Sequence, residues 1–150
     1  MPINTKQLQT KYEKALDALA TLKEANDDIT TAKELAQCAH KDPEKVYKTY
    51  RDSLVQRFEY TFDTTWKYLG EYIQFEGRTL AIGTPKTIFR ESLKAKILSE
   101  AEVRSAIQMV DHRNLTTHGY DEQLIEEIVK SIPVYIKLLD DILQRTKINH

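Results

Sequence analysis

The residue types best suited to chemistry cluster in residues 111–120, where two histidines, an arginine, an asparagine, two threonines and a tyrosine occur within ten positions. Arg113 carries a permanent positive charge on a planar fork of donors that suits phosphate oxygens. His118 can give or take a proton near neutral pH. Such a pair can cleave RNA without a metal ion. The histidine can handle the proton of the 2′-hydroxyl or of the leaving group, while the arginine stabilises the charge that builds on the phosphorane.

The placement of this pair depends on a break in the helix that carries it. On an unbroken helix Arg113 and His118 would stand about 500° apart, equivalent to about 140°, and could hardly face one substrate. Two β-branched threonines and Gly119 indicate the break that would bring them together. With seven arginines and four histidines in 150 residues, an Arg-x4-His pair arises by chance in about one sequence in five. A structural interpretation therefore stays open, in which Arg113 favours the helix C-terminus, Asn114 caps it and His118 lies on the surface.

The elements that position these residues are predicted to be helices. The chain has 150 residues, the usual length of one domain, so we expect a single domain over 1–150. Only 4 glycines and 4 prolines are present, well below the roughly 12% of an average protein, which favours long helices over strands and turns. We predict an all-α fold, an antiparallel up-and-down bundle of four to five helices.

Charge and hydropathy limit the partners that this chain can have. Its 22 basic and 23 acidic residues give a net charge of -1, which argues against coating nucleic acid or anionic membranes through bulk charge. No apolar run approaches the roughly 18 residues of a membrane span, and the N-terminus does not resemble a signal peptide. We expect a cytoplasmic protein with no membrane contact. Residues 84–118 hold six basic against four acidic groups, so this segment, which includes Arg90, is the best face for a phosphate-bearing ligand.

No motif for a cofactor or a metal is evident. The single cysteine, Cys38, excludes an internal disulfide and a multi-cysteine zinc site. A phosphate-cradling glycine loop, HExxH and Gly-x-Ser-x-Gly are all absent from the sequence. We therefore expect no cofactor and no metal.

Helix boundaries follow from apolar spacing and capping residues. An apolar stripe predicts a first helix from about Thr5 to Ala25, ended by the polar triplet at 26–28 and followed by a mixed stretch with a short helix over 32–39. Pro43 opens a second helix that continues to about Glu76 and stops at Gly77. Three further helices are predicted from their N-terminal signals, which are Thr84-Pro85, Ser99 with Glu102, and Asp121. Pro133 is expected to bend the last helix.

The second helix has an unusually wide apolar arc. At 100° per residue its apolar side covers about 200°, against about 100° for one neighbour, and nine of the 13 aromatic residues lie on it. Either this helix is central in the bundle or another subunit covers part of the arc, which favours a homodimer. Trp66 lies in the arc and is assigned to the core rather than to base stacking, whereas Tyr60 is the one aromatic on the opposite side. Arg51 also lies in the arc, so it either forms an internal ion pair or lines an anion-binding cleft.

The motif and its surroundings resemble HEPN domains. Arg113-Asn114-x3-His118-x-Tyr120 is similar to the Arg-x4-6-His-x-Tyr signature of that family, and the closest similarity is to the branch known as nucleotidyltransferase substrate-binding proteins. The similarity covers residues 5–146 and fits less sharply around Thr84-Pro85 and Phe89-Arg90-Glu91. Its most specific parts are Arg51-Asp52-Ser53, Gln56-Arg57-Phe58-Glu59, Trp66-Lys67, Glu76-Gly77 and Met109-Val110-Asp111-His112-Arg113-Asn114.

The resemblance implies a homodimer in which the motifs of two subunits meet in one cleft. Members with an intact motif are often metal-independent endoribonuclease toxins, paired with a minimal nucleotidyltransferase that acts as antitoxin by adding AMP to the motif tyrosine, here Tyr120. A bulky anion two residues from His118 would repel an RNA phosphate. A second interpretation of the same branch is a non-catalytic subunit that presents a nucleotide or another substrate to the nucleotidyltransferase. In the first interpretation the catalytic residues are Arg113 and His118, Asn114 positions them, and Arg51, Arg90 and His112 are candidate cleft-lining residues.

Overall fold

The chain folds into a bundle of helices. The computed structural model describes residues 4–80, 83–117 and 121–148, and within these ranges it contains five α-helices and no strand. This confirms the predicted all-α helical bundle. In chain order the helices are α1 (Thr5–Cys38), α2 (Pro43–Phe75), α3 (Pro85–Lys94), α4 (Glu100–Leu115) and α5 (Glu122–Arg145).

The first helix is longer than the sequence pattern predicted, and the predicted stop at Asn26-Asp27-Asp28 is wrong. α1 continues to Cys38, so the mixed stretch and its short helix are part of α1. Apolar positions continue past the polar triplet, since Ile29 packs against the core and Ala32 and Ala36 are buried. Asn and Asp inside a helix cost less than about 0.7 kcal/mol each relative to alanine. Packing against α2, the neighbour that α1 contacts most extensively, outweighs that cost.

The second helix is central in the bundle, which accounts for its wide apolar arc. α2 packs against α1, α3 and α5, and Trp66 lies partly buried against the core as predicted. Gly77, just beyond the helix end, has a φ of 95°, in the left-handed region that glycine adopts without strain. Gly70 is buried where α3 crosses α2. A Cβ atom at Gly70 would lie 2.7 Å from Cδ1 of Ile88, so glycine permits this close approach.

The N-terminal ends of the last three helices have the predicted caps. Thr84 accepts a hydrogen bond from the amide of Thr87, Ser99 and Glu102 form a capping box, and Asp121 caps α5. α3 ends at Lys94, so Ile97 lies beyond it. Pro133 lies inside α5. Across the described ranges, no helix combines the length and the apolar character needed to cross a membrane.

Candidate functional site

The guanidinium of Arg113 is held against α2 by two carboxylates. Its Nε and Nη2 donate to the two carboxylate oxygens of Asp63 at 3.4 and 3.2 Å. Its Nη1 donates to the hydroxyl of Thr116 at 3.3 Å and lies 3.6 Å from a carboxylate oxygen of Glu59. The side chain is 19% exposed. Arg113 is therefore fixed in one place at the end of α4.

The fixed guanidinium still has donors available to an anion. Arginine carries five N–H groups, and three are used in the hydrogen bonds to Asp63 and Thr116. One N–H on each terminal nitrogen remains, although Glu59 lies near Nη1. The carboxylates of Asp63 and Glu59 partly neutralise the positive charge of the guanidinium. Arg113 therefore offers an anion oriented hydrogen-bond donors more than a net positive charge.

The helix break predicted next to Arg113 is present as the C-terminal end of α4 at Leu115. The Thr116 hydroxyl donates to the carbonyl of Arg113 at 2.7 Å, and the Thr117 hydroxyl donates to the carbonyl of Asn114 at 2.8 Å. These bonds satisfy carbonyls that lose their helical partners where the helix ends. The Asn114 side chain is exposed at this turn.

The remaining motif residues lie outside the described part of the chain. His118 and Tyr120, the predicted catalytic histidine and the predicted modification site, both fall in the gap between α4 and α5 that the structure does not describe. Their roles, and the positioning role of Asn114, therefore remain predictions.

His112 lies in the interior, between α4 and α5. Its Nδ1 is 2.6 Å from the hydroxyl of Tyr135, and the residue is buried. Burial lowers the pKa of His112 and raises the pKa of Tyr135 to about 12. A neutral imidazole and a protonated phenol follow, and the imidazole tautomer determines which of the two groups donates. His112 thus anchors the end of α4 to α5, and its role in lining a cleft between subunits remains a prediction.

Arg51 forms the internal ion pair that was one of its two interpretations. It is 3% exposed and donates to Glu122 at 2.6 and 3.3 Å and to Glu126 at 3.2 Å. The Tyr47 hydroxyl donates to the second oxygen of Glu126 at 2.6 Å. The hydrogen bonds that Arg51 donates to Glu122 raise the pKa of Arg51 above its usual value. This network joins α2 to α5.

Arg90 is exposed on α3 and has no carboxylate within 4.0 Å among the described residues, which leaves its cleft-lining role a prediction. The sequence analysis did not identify Asp63 and Glu59 as partners of Arg113. Their spacing of four residues on α2 puts both carboxylates on one helix face, and this spacing is the signal that could have identified them as a pair. In the ranges 4–80, 83–117 and 121–148 there is no cluster of three His, Cys, Asp or Glu side chains suited to a metal ion.

Comparisons with known proteins identify the family. The family model described as "Nucleotidyltransferase substrate binding protein like" matches residues 7–148. A crystal structure of a protein from Thermus thermophilus is similar to this chain, with 36% sequence identity and a TM-score of 0.71 over 89% of this chain and 99% of that chain. No protein with curated annotation matches the chain. The chain therefore belongs to the family of nucleotidyltransferase substrate binding protein-like proteins.

Proposed function

We propose that this protein works with a nucleotidyltransferase and is itself a metal-independent endoribonuclease that uses Arg113 and His118. The observation that carries the proposal is the fixed guanidinium at the end of α4, five residues before His118. A guanidinium that is already oriented needs no rearrangement when charge develops on a phosphate, and such preorganised donors are effective in catalysis. The family match supports the partner.

The reaction needs only proton transfer and charge stabilisation. The 2′-oxygen attacks the adjacent phosphorus, the bond from phosphorus to the 5′-oxygen breaks, and the products are a 2′,3′-cyclic phosphate and a 5′-hydroxyl. His118 of one subunit takes the proton of the 2′-hydroxyl, and His118 of the second subunit in a homodimer gives a proton to the leaving 5′-oxygen. The free N–H groups of Arg113 donate to the phosphorane oxygens.

The nucleotidyltransferase would silence this activity at Tyr120. The phenolic oxygen of Tyr120 attacks the α-phosphorus of ATP, pyrophosphate leaves, and AMP remains on the tyrosine. The added anion lies two residues from His118 and repels the RNA phosphate. Intact mass after co-expression with the nucleotidyltransferase should increase by one adenylate group for the parent and not for Tyr120→Phe. An unmodified parent would contradict the AMP-transfer step.

Cleavage of a single-stranded RNA by the purified protein in EDTA tests the catalytic residues. His118→Ala should reduce the rate by about 10²–10⁴-fold and Arg113→Ala by about 10²–10³-fold. Arg104→Ala is the matched arginine control, because Arg104 is exposed on the same helix. His40→Asn is the histidine control, because His40 is exposed and has a φ of 55°, which asparagine tolerates. Equal rates for the parent and His118→Ala would refute the enzyme proposal.

A second candidate function is a non-catalytic subunit that binds a nucleotide or RNA for the nucleotidyltransferase. The carboxylates of Asp63 and Glu59 around Arg113 favour it, because they weaken the field that a scissile phosphate would meet. This function predicts ligand binding that depends on Arg113 with no cleavage by any variant. The same set of proteins, measured by binding and by product analysis, separates the two functions.

A further inference from the structure

A cleft between α1 and α2 lies next to Arg113 and carries several cationic side chains. Its volume is about 290 Å³, and besides the buried Tyr68 it is lined by Lys11, Lys14, Tyr60, Asp63, Thr64 and Lys67. Four of its α2 residues, at positions 60, 63, 64 and 67, follow the spacing i, i+3, i+4, i+7, so they form one stripe on the helix. The two lysines of α1 line the cleft opposite that stripe. We call these six residues the lysine cleft.

Two of the lysines have charge that the protein does not neutralise. Lys11 forms an ion pair with Glu71, and Asp63 is occupied by Arg113. Within the described ranges, neither Lys14 nor Lys67 has a carboxylate within 4.0 Å, and both side chains are exposed. Two exposed cations that line one cleft and have no carboxylate partner attract an anion, and phosphate is the anion that the neighbouring Arg113 is suited to bind.

Tyr60 gives the cleft an aromatic surface. It is 49% exposed and lies on the polar side of α2, away from the packed aromatic residues. The Nζ of Lys14 lies 5.8 Å from its ring centroid. Exposed aromatic rings beside lysines are the elements with which proteins bind single-stranded nucleic acids, because bases stack on the ring while the cations contact phosphates.

Asp63 connects the lysine cleft to Arg113. This carboxylate lines the cleft and also accepts two of the three hydrogen bonds that orient the guanidinium. Arg113 and the lysine cleft therefore share Asp63 as a common neighbour.

We propose that the lysine cleft binds a nucleotide next to the phosphate held by Arg113, with its base stacked on Tyr60 and its phosphate on Lys14 and Lys67. The ligand class is single-stranded RNA, so this inference rests on the proposed function for the identity of the ligand. Binding can be measured without cleavage, which keeps the two claims separable.

The test uses full-length protein with His118→Ala to prevent turnover, and a short fluorescent single-stranded RNA as the probe. Lys14→Ala with Lys67→Ala should weaken binding and lower the slope of log Kd against log salt by about 0.7 for each phosphate that the protein no longer neutralises. Lys6→Ala with Lys130→Ala removes the same charge at two exposed positions outside the cleft and should leave the slope unchanged. Equal effects of the two pairs would mean that only net charge matters and would overturn the site.

The stacking contact is tested at Tyr60. Tyr60→Leu should weaken RNA binding by about 5- to 150-fold, whereas Tyr60→Phe keeps the ring and should stay within about twofold. Because the side chain is half exposed, both variants should melt at the parental temperature. If Tyr60→Leu changes the oligomeric state and leaves RNA affinity unchanged, the cleft is a protein contact and the proposal is wrong.

A free nucleotide is the other source of the same chemistry, so ATP is titrated separately. The proposal expects RNA to bind more tightly than ATP. ATP that binds as tightly as RNA, with the same dependence on Tyr60, would overturn the assignment to RNA. If the lysine and Tyr60 variants weaken RNA binding while the parent fails to cleave, the cleft is supported and the proposed catalysis has failed independently.

Discussion

Removing the phenolic oxygen of Tyr135 tests whether the contact that anchors α4 to α5 stabilises the fold. The hydroxyl lies 2.6 Å from Nδ1 of His112, and the two residues are 1% and 7% exposed. Tyr135→Phe leaves Nδ1 buried without a partner, which costs about 1–3 kcal/mol in the free energy of unfolding. For a chain of this size the melting temperature should fall by about 2–12 °C.

A double-mutant cycle separates the contact from general packing effects. His112→Leu removes the orphaned nitrogen, so the double variant with Tyr135→Phe should be more stable than the sum of the single effects by at least about 1 kcal/mol. Tyr12→Phe is the matched control, because its buried hydroxyl donates to the carbonyl of Leu143 at 3.0 Å. Its effect should add to that of His112→Leu within about 0.5 kcal/mol.

The same pair predicts a pH dependence. Burial lowers the pKa of His112 below 6.5, against the opposing charges of Glu127 and Asp111. Below pH 6.5 His112 binds a proton in the unfolded chain but not in the folded chain. The free energy of unfolding therefore falls with falling pH until the pKa of His112 in the folded chain is reached. The slope from this one group is at most about 1.4 kcal/mol per pH unit.

Urea unfolding followed by circular dichroism at pH 7.5, 6.5 and 5.5 measures both effects. The parent should lose stability over this range relative to His112→Leu, in which the titrating group is absent. Parallel pH profiles for the two proteins, or additive effects of His112→Leu and Tyr135→Phe, would refute the reasoning.

Three further predictions concern packing, backbone conformation and an ion pair. Gly70→Ala should lower the free energy of unfolding by up to about 2 kcal/mol, because overpacking against Ile88 exceeds the gain in helix propensity. Urea unfolding should show that adding Ile88→Val restores part of the lost free energy, and no restoration would argue against the clash. Gly77→Ala should cost about 1–2 kcal/mol in thermal unfolding because of its φ of 95°, and an unchanged melting temperature would contradict this. The hydrogen bond from Arg145 lowers the pKa of Glu102 to about 2, so the stabilisation is present above pH 4.5 and lost as the pH falls towards 2. Arg145→Gln should flatten this part of an acid titration followed by circular dichroism, and an unaltered acid profile would count against the ion pair.

The parts of the fold that the sequence predicted well depend on local chemistry. Helix ends are marked by Pro43, Gly77, Ser99 and Asp121. Each of these residues favours the start or the end of a helix through its effect on the backbone within a few residues of itself. The end of α1 was missed because no local rule fixes it. A polar triplet interrupts a helix only when packing beyond it is weak, and the packing of residues 29–36 on α2 is a tertiary effect.

The sequence identified the arginines of the candidate site, but it did not identify the carboxylates that they contact. The apolar surroundings of Arg51 required an anion, yet Glu122 lies 71 residues away in the sequence. Arg113 and the break after it followed from the motif, whereas Asp63 lies 50 residues away on α2. The four-residue spacing of Glu59 and Asp63 places both carboxylates on one face of α2, but it does not specify which arginine of another helix they contact.

The uneven burial along the α1–α2 hairpin has a consequence for hydrogen exchange. Large side chains such as Leu8, Tyr12 and Leu22 fill the buried positions of the first half of α1, whereas beyond Ala25 the buried positions hold the small residues Ala32 and Ala36. Little apolar surface is therefore exposed if only the hairpin end opens, and amide hydrogens near residues 30–48 should exchange with solvent before those of the bundle. The ion pair of Arg51 joins α2 to α5 just beyond that segment. We therefore expect the amide hydrogens of α2 to exchange slowly from about residue 51 onwards.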